Sequence, residues 1–457
     1  MQERDGRVVE NPVLLLLLTV ALAGALGLGF VGFAPNRILS PRSLALWDAA
    51  DPVLLGAILV GFGIALASTF GWPRRGHDVA AFLGGSLILV ATVLAAGEVA
   101  TALVTTAKSS AARVSLGGAF WVMALTSSLA MAEALRRAGI ERPGRIGVAA
   151  VFVAGFAALA YLGWYDDLSI AREWANRRAQ YSVAFGEHVR LVATALVVSL
   201  LIGVPLGALT TQRPRFAGRV FTVLNLVQTI PSIALFGLLI GPLTALSNAV
   251  PGLAAAGVRG SGFTPALIAL VLYSLLPIAR NTQVGLLGVP PRVIDAALGM
   301  GMTGFQIVTR VSIPLALPVL LAGLRIVTVQ LIGLAVVAAL IGAGGFGSFV
   351  FLGLGQTATD LVLLGALSAI AFALVADAGL RLLTVLVARV EGQLSHSCTS
   401  PRPTRGGRPS MTFRWWCKAG NSALSSALPA PANPRCSAWS TASSSRTRAP
   451  SSMTATM

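Results

Sequence analysis

Long runs of hydrophobic residues recur along the chain, separated by short segments richer in charge and proline. A helix that spans a bilayer needs about 20 mainly apolar residues. Ten runs meet this requirement, at residues 12–33, 53–72, 79–97, 115–135, 146–164, 189–210, 217–240, 262–279, 316–341 and 361–389. The pattern predicts an all-α polytopic membrane protein with about ten transmembrane helices.

The composition and charge support this fold class and give an orientation. Of the 457 residues, 55% are hydrophobic and 11% are charged, whereas soluble domains are about 25% charged. The net charge of +17 comes largely from arginines scattered in alternate short loops, which is the positive-inside pattern. This distribution argues against nucleic acid as a partner and predicts a multi-pass membrane protein with both termini in the cytoplasm.

Few residues in the predicted membrane part could carry chemistry. The three cysteines, Cys398, Cys417 and Cys436, all lie in the last sixty residues, so they offer the predicted helices no disulfide and no thiolate metal site. His77 and His188 are far apart in sequence and are interpreted as interfacial residues. We therefore predict no catalytic residue and no metal site, and a membrane-embedded enzyme, which needs such a cluster, is disfavoured.

A few charged residues fall within the predicted helices, where ionisable groups are costly and often functional. Arg325 lies early in the ninth helix, and we interpret its side chain as extending to the cytoplasmic interface. Asp377 and Arg381 are four residues apart in the tenth helix, so they can pair on one face in a structural role. The scarcity of such groups disfavours a secondary transporter or channel working without an ATPase, although that alternative stays open.

The chain divides at the polar stretch YDDLSIAREWANRRAQYS, residues 165–182. We predict an N-terminal membrane extension of about five helices over residues 1–182 and a second membrane domain of five helices over residues 183–392. We find no sequence repeat between the two halves, which is evidence against a transporter built from inverted repeats.

A polar interruption separates the eighth and ninth predicted helices, on the side predicted to be cytoplasmic. It contains DAALGMGMTGFQIVTRVSIP, residues 295–314. Pro290 and Pro291 are typical of a turn followed by a helix start. Ile294, Ala297 and Leu298 then fall on one face of a short helix.

Two glycines interrupt this short helix. Gly299 and Gly301 can end it and permit a close approach of another backbone. Phe305 and the apolar positions after it predict a second short helix, and Pro314 precedes the next membrane helix. We interpret the two short helices and the glycine turn between them as a docking surface. The alternative interpretation is an ordinary re-entrant or interfacial loop.

These residues resemble the coupling loop of bacterial ABC-importer permeases of the type-1 class. The pattern of that loop is E-A-A, three residues, G, nine residues, then I-x-L-P. Asp295, Ala296 and Ala297 match its opening, with Asp in place of Glu, and Gly301 matches its glycine. Val311, Ile313 and Pro314 match its close. The resemblance implies that these residues, with Gly299, form the ATPase-coupling loop, a helix-in-groove contact.

The neighbouring sequence resembles a narrower group of permeases. The segments NTQVGLLGVPPRVIDAALGMG and IPLALPVLLAGLRIVTVQLIGLAVVAALIGAGGFGSFVFLGL are similar to permeases that import glycine betaine, choline and related osmoprotectants. The resemblance covers roughly residues 185–390. The five preceding helices resemble those of an extended osmoprotectant subgroup, and another small solute, such as an amino acid, stays possible as the substrate.

The resemblance implies a set of partners and a location. The chain would be the transport subunit of an ATP-driven importer in a bacterial cytoplasmic (inner) membrane, in contact with membrane lipid. It would work with an ABC ATPase, an extracytoplasmic solute-binding protein and a second permease copy or paralogue. It would hold no cofactor and no nucleotide, and indeed no G-x-x-x-x-G-K-[ST] occurs in it. ATP would be bound and hydrolysed by the partner, so the chain itself is predicted not to be an enzyme.

The substrate path is less visible in the sequence. The glycine-rich segment LIGAGGFGSFVFLGLG, residues 340–355, is interpreted as part of the outer mouth or gate. A quaternary ammonium ion favours an aromatic cage, and the resemblance implies that this cage lies mainly on the binding protein.

The chain from residue 393 onwards has a different character. Residues 393–457 contain no Asp or Glu and eight Lys or Arg, as expected of a disordered tail. In a shifted reading frame, SALPAPANPR, residues 426–435, can be read as G-P-S-G-A-G-K-S-T, a phosphate-binding loop. Trp415, Trp416 and the codon that follows force two consecutive valines in that frame. We therefore interpret residues 393–457 as a frame-shifted read into a downstream ATPase gene.

Overall fold

The structure is a computed structural model that describes residues 11–36, 39–70, 74–107, 111–255 and 257–397. The three cysteines and residues 398–457 of the proposed frame-shifted segment lie outside the described residues. Residues 393–397, which we expected to be disordered, instead belong to the last helix, which ends at Ser397. Within the described residues the chain is mostly α-helical.

The described residues up to Asn176 contain seven helices and a small sheet. The helices are α1 (Pro12–Gly27), α2 (Leu46–Ala49), α3 (Pro52–Ala67), α4 (Arg74–Ala107), α5 (Gly118–Arg137), α6 (Arg142–Tyr161) and α7 (Ser169–Asn176). The strands are β1 (Val31–Ala34), β2 (Arg42–Leu44) and β3 (Arg113–Leu116). The sheet has the order β2-β1-β3, and both pairs are antiparallel.

The rest of the described chain contains ten further α-helices. They are α8 (Arg178–Gln212), α9 (Pro214–Thr229), α10 (Ser232–Ala249), α11 (Pro251–Ala255), α12 (Phe263–Leu287), α13 (Pro291–Gly299), α14 (Gly304–Ile307), α15 (Ile313–Ala338), α16 (Gly347–Gly355) and α17 (Thr359–Ser397). A π-helical segment, Val308–Ser312, joins α14 to α15, and a 3-10 turn, Ala339–Ile341, follows α15.

The predicted all-α membrane architecture is confirmed. Eight helices in the described chain are long and apolar enough to cross a membrane, and α1 and α3 are shorter apolar helices of 16 residues. One predicted span, 217–240, is instead two helices, because α9 ends at Thr229 and α10 begins at Ser232. Pro231 lies at this break; it lacks a backbone N–H and disfavours helical geometry in the residue before it.

Helix packing in the N-terminal part depends on small residues. Helix α4 packs against both α3 and α5, and α1 packs against α5. A Cβ added to Gly84 of α4 would lie 2.8 Å from the carbonyl oxygen of Gly61 in α3. The two backbones therefore touch, as is common where small residues line helix contacts in membranes. Phe30 and Met123 are fully buried in this core.

The described chain separates into two compact units. The first contains the residues up to Asn281 together with Gly323–Ala378, and the second contains Thr282–Ala322 and the chain from Gly379 onwards. The predicted coupling loop lies in the second unit.

A buried ion cluster in the first unit connects the N-terminal extension to the following domain. Glu173 of α7 is 2% exposed, and its carboxylate accepts hydrogen bonds from Arg113 of β3 at 2.6 Å and from Arg177 at 3.0 Å. Asp360, near the start of α17, is also buried and lies within electrostatic reach of Arg113 and Glu173. The cluster thus brings together the polar stretch, the small sheet and the last long helix.

Replacing Glu173 by glutamine should destabilise the first unit. Removing one partner of a buried ion pair leaves uncompensated charge, and because both arginines keep some exposure we expect a loss of about 2 kcal/mol, below the value for fully buried pairs. The thermal unfolding midpoint of the purified chain would measure the loss. Glu133→Gln, which breaks a more exposed pair with Arg136, should leave the midpoint nearly unchanged. Equal shifts in the two variants would contradict a structural role for Glu173.

Candidate functional site

The predicted coupling segment, residues 290–314, contains two short helices, and the first begins and ends with recognisable signals. Pro291 is the first residue of α13, a position that tolerates proline because its N–H would be unpaired anyway. Gly301, with φ +77°, follows the helix end. Its N–H donates to the carbonyl oxygen of Leu298 at 2.9 Å, and that of Met302 donates to Ala297 at 3.1 Å. These two bonds form a Schellman motif, which favours glycine at the left-handed position.

The second short helix begins with a capping box. The Thr303 N–H donates to Oε1 of Gln306 at 2.8 Å, and the Gln306 N–H donates to Oγ1 of Thr303. This reciprocal pair satisfies donors at the start of α14 that would otherwise lack partners. The sequence signal T-x-x-Q was present at residues 303–306, and our sequence reasoning did not use it.

The second short helix continues into the membrane helix, which corrects one sequence prediction. We predicted that Pro314 would precede the next membrane helix, whereas α14, the π-helical segment and α15 form one continuous helical stretch, Gly304–Ile341. The Ile313 N–H donates to the carbonyl oxygen of Val308, a π-type bond. Pro314 has no N–H and its ring crowds the preceding turn, and the wider π turn lies immediately before it.

The predicted coupling residues differ in exposure. Asp295, Ala296, Gly299, Gly301 and Pro314 are exposed, Val311 and Ile313 are half-buried, and Ala297 is 1% exposed. A Cβ added at Gly299 or Gly301 would meet no atom within 4 Å. The close backbone approach that we expected at these two glycines is therefore not made by any of the described residues.

Three large apolar side chains project from the coupling segment. Leu298 is 55% exposed, Met300 72% and Phe305 78%. Together with Asp295 and Gly301 we call them the coupling surface. Exposed apolar side chains that cluster in a polar connection between helices are typical of an interaction site. Sequence reasoning named neither Met300 nor Phe305 as site residues, because the faces of two four- to nine-residue helices depend on the turn between them.

Family models match two separate parts of the chain. Residues 203–389 match the family described as binding-protein-dependent transport system inner membrane component. Residues 8–171 match the N-terminal domain of the ABC transporter permease YehY. The glycine betaine/carnitine/choline transport system permease protein OpuCB of Bacillus subtilis (strain 168) is 38% identical over 192 residues, covering 42% of this chain and 81% of that protein. The chain belongs to the inner-membrane permease family of binding-protein-dependent ABC importers.

Two further comparisons are with a second curated relative and with a solved structure. The osmoprotectant import permease protein OsmW of Salmonella typhimurium is 42% identical over 191 residues, covering 42% of this chain and 84% of that protein. A solved structure of the MetNI methionine ABC transporter, in an inward-facing conformation, is 23% identical with a TM-score of 0.41, covering 46% of this chain and 98% of that chain.

The permease contains an ion pair between two membrane helices, which corrects our interpretation of Arg325. Instead of extending to the interface, the Arg325 guanidinium of α15 contacts Oδ1 of Asp377 in α17, at 2.7 Å from Nη2 and 2.8 Å from Nε. Arg325 is near the middle of α15, so about half of that helix separates it from either end. A cross-helix partner removes the need for the side chain to reach water.

The two histidines of the predicted membrane part, His77 and His188, are both buried inside the protein. His77 is 7% exposed, and its Nδ1 lies 2.7 Å from the carbonyl oxygen of Ser68. His188 is 1% exposed, with its ring centroid 4.9 Å from that of Phe346 and 5.9 Å from that of Phe372. The aromatic residues around His188 lie far from it in sequence, so this packing could not be read from the local sequence.

Proposed function

We propose that this permease imports quaternary amines of the glycine betaine, choline and carnitine type. The carnitine, choline and glycine betaine permeases named among its relatives are 32–38% identical to it over about 190 residues, and osmoprotectant permeases reach 42%. This similarity over most of those relatives' length is the observation that supports the substrate class.

The coupling surface is the part of the permease that contacts the ATPase. Exposed Leu298, Met300 and Phe305 present apolar area suited to a groove on a cytoplasmic ABC ATPase, in the helix-in-groove mode. When ATP closes a pair of ATPases, each groove moves its coupling segment as a rigid body. The continuous helical stretch Gly304–Ile341 carries that displacement from the coupling surface into the membrane.

The same proposal assigns the remaining partners and the orientation. A second permease subunit completes the path, and an extracytoplasmic binding protein delivers the ligand. The coupling surface faces the cytoplasm, so residues 165–182 face outwards and both ends of the membrane part lie inside. Residues 1–182 are an extension that meets the transport domain, 183–392, where Asp360 lies within electrostatic reach of Arg113 and Glu173.

Transport by the reconstituted complex tests the substrate class. Proteoliposomes that contain the permease, its ATPase and its binding protein should accumulate choline or glycine betaine only when ATP is supplied. Accumulation of an amino acid instead would indicate that the permease belongs to an amino-acid importer. Accumulation without the ATPase, driven by an ion gradient, would favour a secondary transporter and overturn the proposal.

Truncating Phe305 should weaken ATPase binding without affecting the fold. Phe305 is 78% exposed, so Phe305→Ala removes little packing from the chain. A phenylalanine side chain buried in an interface contributes about 1.5–3 kcal/mol, so the Kd for the ATPase should rise by about 10- to 100-fold. Titration of the ATPase onto the permease in nanodiscs measures this. Tyr161→Ala, at an aromatic residue that is 93% exposed and distant in sequence, is the matched control, and equal Kd values for both variants would contradict the docking assignment.

A further inference from the structure

A pocket lies between the first turns of α8 and helix α16, within the first unit. It has a volume of about 430 Å³ and is lined by Gln180, Val183, Glu187, Ser348, Phe349 and Leu352, among others. The pocket is an open groove, since Gln180, Val183 and Glu187 are exposed. Glu187 is the single charged group among its lining residues. The pocket is therefore electrostatically suited to a cation and unsuited to an anion.

The Glu187 carboxylate is held by the backbone of the glycine-rich segment. Its Oε2 accepts a hydrogen bond from the Gly345 N–H at 2.9 Å. Gly344 and Gly345 have φ of +76° and +80°, and a Cβ on Gly344 would overlap the carboxylate. The loop thus needs glycine at both positions to follow Glu187. No basic side chain in the described part of the chain forms an ion pair with this carboxylate, so its charge is available to a ligand.

An aromatic cluster lies beneath one side of the same pocket, where Phe349 is 3% exposed. Phe349 lines it, and Tyr181 lies behind with its ring centroid 6.1 Å from that of Phe349 and 5.7 Å from that of Phe346. Tyr181 is itself held by a hydrogen bond from its hydroxyl to Ser368 at 3.0 Å. Aromatic rings attract organic cations through their quadrupole. A carboxylate and an aromatic wall together are the chemistry that recognises an ammonium group.

We propose that this pocket is a permease subsite for small organic cations that carry an ammonium group and no carboxylate. The proposal rests on the proposed function and narrows its substrate class. Choline places only positive charge beside Glu187, whereas glycine betaine also brings a carboxylate that Glu187 repels. The subsite therefore adds a preference for choline over zwitterions to whatever selection the binding protein makes.

Binding of radiolabelled choline to the full chain in nanodiscs of phosphatidylglycerol tests the subsite directly. Glu187→Gln removes the charge but keeps an oxygen that can accept the Gly345 hydrogen bond, so the loop is retained. We expect saturable choline binding whose Kd rises about tenfold in Glu187→Gln, as loss of one close charge contact implies. Glycine betaine should compete with choline less well in the wild type than in the variant.

Two further measurements distinguish a choline subsite from a lipid site and from a general charge effect. Asp166→Asn removes one negative charge from an exposed loop outside the pocket and should leave the Kd unchanged. Phosphatidylethanolamine nanodiscs offer an ammonium headgroup, and complete displacement of choline there would assign the pocket to lipid and overturn a transport subsite. Absent choline binding, or an equal Kd in Glu187→Gln, would also overturn it. Because binding is measured without ATPase or uptake, these results are independent of the transport assay that tests the proposed function.

Discussion

Replacing Gly301 by aspartate should abolish ATP-driven uptake while leaving the chain folded in the membrane. Gly301 has φ +77° and a Cβ there would meet no atom within 4 Å. Aspartate is among the residues that tolerate this conformation, so the turn should persist at a strain of about 1 kcal/mol. The new carboxylate would lie next to Met300 in the coupling surface. Burying it unpaired against an apolar groove costs several kcal/mol, which lowers ATPase binding by more than about 100-fold.

Gly301→Asn is the matched control for this prediction. Asparagine tolerates the left-handed region as well as aspartate does and carries no charge, so most of the uptake should be retained. Choline uptake into proteoliposomes gives the activity, and size-exclusion chromatography of extracted membranes gives the amount of folded chain. Normal uptake by Gly301→Asp would show that this surface does not contact the ATPase. Equal loss in both variants would assign the defect to the backbone of the turn instead.

Removing Arg325 should cause the largest loss of stability that we expect from a single substitution in the permease. Arg325→Met leaves Asp377 without the contacts at 2.7 and 2.8 Å. Both side chains are less than one third exposed and lie in helices long and apolar enough to cross a membrane, so water can compensate little. Breaking one side of a buried pair typically costs about 3–5 kcal/mol, and we expect a value near the lower end, about 3 kcal/mol, because Arg381 also lies on α17 and carries positive charge.

A double variant distinguishes the ion pair from simple packing. Arg325→Met combined with Asp377→Leu removes both charges, and such replacements are often neutral in buried sites. The thermal midpoint of the double variant should therefore recover most of the loss seen with Arg325→Met alone. A double variant that is no more stable than the single one would show that the two residues act independently.

Some features of residues 290–314 could be predicted from the sequence, because they depend only on neighbouring residues. The spacing from Asp295 to Pro314 located the segment, and glycine at residue 301 matches the left-handed turn that ends α13. Thr303 and Gln306 form a capping box that the same local reasoning could have found. The exposure of Met300 and Phe305 was not readable, because it depends on how the turn sets the second helix against the first.

The sequence by itself determined the class of protein, the approximate spans and the presence of a short helix after Pro291. Each of these depends on residues within about 20 positions of one another, since a spanning helix satisfies its own backbone hydrogen bonds. The tertiary structure alone decided which distant residues meet. Arg113 pairs with Glu173, 60 residues away, Arg325 with Asp377, 52 away, and Glu187 with Gly345, 158 away. No local periodicity specifies such partners, because they depend on which helix faces come into contact once the chain is packed.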